Sequence, residues 1–173
     1  VPMSSDARGA MSRKCVGALL AAGMLLLTLA ACAPFGSGPD RDAEAIAVVE
    51  RAVSEALPNA NGAYVTTATS GPGNRTMLVR LYLDVADPGT LTDTVHRAAG
   101  AVRASIPRDI LKLTLEAVEG DRPPQPPRGV EQVVDLRFVA EELGLEARSV
   151  VDGRLIFSRD YLEDRYGAAN DVD

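Results

Sequence analysis

The stretch TMLVRLYLDV, residues 76–85, alternates through its length: Met77, Val79, Leu81, Leu83 and Val85 point one way, Arg80, Tyr82 and Asp84 the other. A period of two is a strand's period, and one apolar face demands a second layer to cover it. Two neighbouring segments share the pattern. AYVTTATS, residues 63–70, joins it through the flexible loop GPGNR as a hairpin. DILKLTLEAV, residues 109–118, reads as a third strand with Leu111, Leu113, Leu115 and Ala117 on one face.

Helical spacing fills the gaps. Asp42 is a candidate cap for a helix to Leu57, whose buried stripe is Ile46, Val49, Val53 and Leu57 and whose stop is Pro58. After the turn ADPG, Thr90 and Asp93 have the spacing of a capping box. The helix they open carries Leu91, Val95, Ala98 and Val102 on one face and ends before Pro107. The expectation is an α/β (α+β) two-layer sandwich with an α-β-β-α-β core over residues 42–119. This order is also similar to that of the BON domain of bacterial envelope proteins, without the glycines that mark that domain. Residues 120–129, GDRPPQPPRG, are barred from a helix or inner strand because proline has no N–H to donate. Residues 130–173 form a C-terminal extension too short for its own core. It reads as a short helix from Asp135 to Leu143 ending at Gly144, an Asp152-Gly153 hairpin, and a helix capped by Ser158 that ends at Gly167. It is expected to pack on the first unit.

The N-terminal part follows another logic. Arg13 and Lys14 precede an apolar run from Val16 to Ala31. As a helix that run would be about 24 Å long, short of the roughly 30 Å of a bilayer's hydrocarbon core. It has the length of a signal-peptide apolar region. Leu29-Ala30-Ala31-Cys32 resembles the lipobox of bacterial lipoproteins, an aliphatic residue, two small ones and a cysteine. The resemblance implies that residues 1–31 are a removed signal peptide and that Cys32 carries a diacylglyceryl group, palmitate among its acyl chains, and becomes the new N-terminus. It also implies an extracytoplasmic protein held on a cell membrane by Cys32. A thiolate is the side chain best suited to form the thioether. Two acyl chains, at about 0.8 kcal/mol per buried methylene, anchor where one is marginal. Cys15 falls within the signal, so no disulfide remains for the mature chain. Residues 32–41, beginning CAPFGSGPD, read as a tether.

The formal net charge is −6, and removal of residues 1–31 leaves 15 basic against 23 acidic residues, or −8. That balance argues against a nucleic-acid partner, which needs a basic face. No motif for a cofactor, and no Cys-x-x-Cys or His-x-x-x-His metal set, is present. His96, the single histidine, lies beside Val95 and off the buried stripe, where a solvated position is expected. There is no Gly-x-Ser-x-Gly elbow. Glu141 and Glu142 are adjacent on a helix and diverge; Asp152, Asp160 and Asp164 could act together only if the fold converges them. Asn74-Arg75-Thr76 matches a glycosylation acceptor and marks an exposed loop, and PPQPP reads as a stiff loop or a docking segment. The leading expectation is a non-enzymatic, lipid-anchored envelope protein that binds another envelope component. The alternatives are a carrier of lipid or a small apolar ligand, and a wall-polymer hydrolase using those carboxylates.

Overall fold

A computed structural model of the chain describes residues 39–127 and 132–168. Cys32, the signal segment and most of the expected tether lie outside the described residues. The first helix, α1, runs Pro39–Ala56. It begins three residues before Asp42, because proline's fixed φ suits a first helical turn and its missing N–H costs nothing there. Asp42 is therefore no cap; its carboxylate accepts a 2.5 Å bond from Arg75, which also pairs with Asp109. Val49, Val53 and Leu57 are buried on the predicted stripe.

Strands β1 (Gly62–Thr69) and β2 (Arg75–Leu83) form the expected antiparallel hairpin, with Val65 opposite Val79. Helix α2 (Pro88–Ser105) leads on to β3 (Ile110–Glu119), which lies parallel to β2. The cap of α2 is Asp87, whose carboxylate accepts the Gly89 N–H at 3.3 Å, and not the Thr90–Asp93 box. Pro88, at the first helical position, places the boundary there. The predicted face of β3 also needs correction. Arg75 pairs with Ile110 and Thr76 with Lys112, so Leu111 is the extra residue of a β-bulge. The bulge turns Ile110 into the core and leaves Leu111 42% exposed. Val85, assigned to the apolar face of β2, lies past that strand's end and is 69% exposed.

The C-terminal residues extend the sheet. Helix α3 (Arg137–Glu142) and a 3-10 turn (Ala147–Ser149) precede β4 (Val150–Val151) and β5 (Arg154–Ser158), and α4 (Arg159–Tyr166) closes the described fold. The order across the sheet is β1-β2-β3-β5-β4. Asp152 and Gly153, with φ of 51° and 77°, make the two-residue β4–β5 turn that a primed hairpin requires. Ser158 caps α4 as expected, accepting the Tyr161 N–H at 3.2 Å. The helices pack on one face of the sheet, with α2 between α1 on one side and α3 and α4 on the other. Met77, Val79, Leu81, Leu113, Leu115, Ala117, Leu155 and Phe157 from the sheet fill this interface, fully buried. The result is a mixed α+β sandwich of two layers.

Candidate functional site

The second face of the sheet departs most from the alternation rule. Arg80 and Tyr82, assigned to a polar outward face, are each only 1% exposed, and Glu116 is 0% exposed. These side chains lie on the face away from the helices. Tyr64 is the register partner of Arg80, and Arg80 of Glu116. Arg154 of β5 continues the row, two residues along from the Ile156–Thr114 pair. Glu116 is the hub. One carboxylate oxygen accepts from Arg80 Nε and the other lies 2.6 Å from Arg154 Nε. The second contact is an ion pair with poor hydrogen-bond alignment, so Glu116 Oε2 and Arg154 Nε are held by charge. The Arg80 guanidinium is 5.7 Å from the Tyr64 ring centroid, a cation–π distance. Burial works against its charge, but the Tyr82 and Glu116 side chains outweigh that and raise its pKa above the ordinary value.

The proline-rich segment lies against this face over β1 and β2. Gly120 N–H donates to Leu83 O at 2.8 Å, and Gly120 O accepts from Asn61 Nδ2 at 3.1 Å. Arg122 passes over Gly62, where a Cβ would come within 3.0 Å of it, and pairs with Glu50 of α1 at 3.1 Å. Pro127 O accepts from Arg80 Nη1 at 2.9 Å. Farther along, Val134 N–H donates to Ala117 O, bringing the chain back beside β3.

A surface cleft of about 480 Å³ opens at the end of the sheet where β2 stops, bordered by Leu57–Ala60, Asp84, Val85 and the first turns of α2. The C-terminal end of a parallel strand pair is a common ligand position in α/β sheets. Its carboxylates have partners within the fold, that of Asp93 being only an exposed surface pair. Asp84 accepts from Asn61 Nδ2 at 2.8 Å, Asp87 caps α2, and Asp93 lies 3.9 Å from Arg97.

The carboxylates considered for hydrolysis do not converge. Asp152 is in the β4–β5 turn at one end of β5, whereas Asp160 and Asp164 lie on α4 beyond its other end. Glu142 accepts from Thr92 across the α2–α3 contact. His96 is half-buried where a solvated position was expected, with Nδ1 2.9 Å from the Tyr166 hydroxyl and the two rings 5.0 Å apart. Its neighbour is thus a phenol from α4, not a serine. Asn74 lies in the β1–β2 loop, with Nδ2 donating to Ser70 Oγ at 2.7 Å. Among the described residues no cluster of three or more His, Cys, Asp or Glu side chains could hold a metal, and no helix is long and apolar enough to cross a membrane.

Sequence reading missed the Arg80–Glu116–Arg154 row. Two arginines and a glutamate are visible in the sequence, but only the sheet order places them side by side. The chain matches no protein family, no curated protein and no solved structure.

Proposed function

We propose that the protein is a lipid-anchored protein of the cell envelope, held on the extracytoplasmic side of a membrane through Cys32, whose two-layer domain binds another envelope component without catalysing a reaction. The observation that carries this reading is the ordered sequence of Arg13 and Lys14, the apolar run Val16–Ala31, and Leu29-Ala30-Ala31-Cys32. The position of the first described element supports it. Helix α1 begins at Pro39, so cleavage before Cys32 would remove no described helix or strand. The seven residues from Cys32 to Gly38 reach at most about 25 Å, which would keep the domain near the membrane surface. A binding role is favoured by how the conspicuous polar groups are used: Asp87 caps a helix, Glu116 joins three strands, and His96 pins α4.

Fatty-acid labelling tests the anchor. The full chain, expressed in a bacterium fed an alkyne fatty acid, is expected to take up label that Cys32→Ala abolishes. Equal labelling of the two would overturn the anchor. Proximity labelling from the C-terminus would then identify the partner, and enrichment of the same envelope protein in repeat experiments is the expected result.

A further inference from the structure

The segment Gly120–Pro127 is attached in an unusual way. Four of its eight residues, Pro123, Pro124, Pro126 and Pro127, have no N–H, so it cannot join the sheet as a strand. Beyond the Gly120 N–H, which donates to Leu83 O, it is held where its carbonyls accept from the body and where a charged side chain finds a partner. Its two ends are held in the first way, by Asn61 Nδ2 on Gly120 O and by Arg80 Nη1 on Pro127 O. Its middle is held in the second, by Arg122 on Glu50. Gly62, under Arg122, is the register partner of Tyr82, and Arg80 lies two residues from Tyr82 on the same face. The segment therefore passes over Tyr82, which is buried although it faces away from the helices.

The chemistry of the Pro127 contact differs from that of the hydrophobic core. A buried ion pair adds little net stability compared with apolar side chains of similar size, whereas it is demanding about position. Arg80 is shared among Glu116, Pro127 O and the Tyr82 side chain, and Glu116 has a second cation in Arg154. Removing the Arg80 guanidinium thus leaves Glu116 paired and the helix–sheet interface untouched. The loss falls on the strap and on the Tyr82 contact, where a methionine keeps the bulk of the arginine stem.

We propose that Gly120–Pro127 is a releasable strap clasped by Arg80, which lies over the β1–β2 part of the sheet's back face and can leave it while the two-layer body stays folded. Its release uncovers Tyr82 and Arg80 on the β1–β2 part of that face. This device does not depend on lipidation of Cys32.

The four tyrosines, Tyr64, Tyr82, Tyr161 and Tyr166, provide the test. The full chain labelled with 3-fluorotyrosine gives one fluorine resonance per ring, assigned by single Tyr→Phe changes, and a soluble paramagnetic chelate reports the exposure of each. In Arg80→Met the relaxation enhancement of Tyr82 should rise severalfold, with Tyr161 and Tyr166 unchanged. Arg154→Met keeps the Arg80–Pro127 bond and should leave Tyr82 protected. Arg80→Met with Glu116→Leu removes the pair altogether and should free the strap as well; it decides the matter if the single variant does not fold. The proposal is overturned if Tyr82 stays protected without Arg80, if Arg154→Met exposes it equally, or if all four rings become exposed together in the double variant.

Discussion

Glu116 shows how much one residue can depend on distant partners. Its carboxylate lies between two guanidiniums in a place water does not reach, and the charges there sum to +1. Glu116→Gln would keep the shape and leave both cations without a counter-charge. Breaking a buried pair in this way costs about 3–5 kcal/mol, and the partial exposure of Arg154 puts the expected loss near the lower end. A fall in the denaturant midpoint with an unchanged m-value would be the signature. A loss below about 1 kcal/mol would mean that the row is not buried as described. Arg80 and Tyr82 were legible as a pair sharing one face of a strand. That the face is covered was not legible, because alternation separates two faces without saying what lies on either.

At the scale of elements, the local signals succeeded where the cause is local. The Asp152-Gly153 turn and the Ser158 cap are set by backbone conformations and hydrogen bonds within a few residues. The start of β3 was misread, because a bulge depends on the partner strand. Ile110 and Leu111 are both large and aliphatic, and only pairing with Arg75 and Thr76 of β2 determines which one turns inward. The two residues therefore make a direct test. Ile110→Ala should cost about 2–4 kcal/mol as a buried truncation. Leu111→Thr should stay within about 0.5 kcal/mol, as for a surface position. The opposite order in thermal or chemical unfolding would restore the unbulged register.

For the whole molecule, the question is how the C-terminal residues are fastened. Helix α4 docks on α2 through Leu162, buried in the core, and through polar contacts with Arg103, which is itself buried. Arg103 donates to Gly167 O at 2.9 Å and to Glu163 at 3.0 Å, while Tyr166 meets His96. Two of these groups predict the pH response. The hydrogen bond from Arg159, aided by the charges of Arg103 and Arg159, holds the Glu163 carboxyl below its ordinary 4.5. Its contribution is present above that value and is lost as pH falls through the lowered one. Burial pushes the Tyr166 phenol up from 10.0 to about 12. Folding therefore favours its neutral form, and that contribution is present below pH 10 and is lost as pH rises towards 12. In melting temperatures measured across pH, Glu163→Gln should flatten the acid limb and Tyr166→Phe the alkaline limb. If neither limb changes, the docking of α4 is not linked to these groups.

Periodicity, proline and glycine positions, and capping residues were sufficient to establish the elements, their order and the two-layer class, because each acts over one turn or one strand. The motif around Cys32 belongs to the same kind of local information. Only the tertiary structure decided that the C-terminal residues add β4 and β5 to the sheet, that a bulge shifts β3, and that a strap lies over the β1–β2 part of the back face. These outcomes rest on contacts such as Arg80 with Glu116, 36 residues away, and with Pro127, 47 residues away. A sequence pattern reports which side chains share a face; the partner of a face, and of a buried charge, is chosen by how the layers come together.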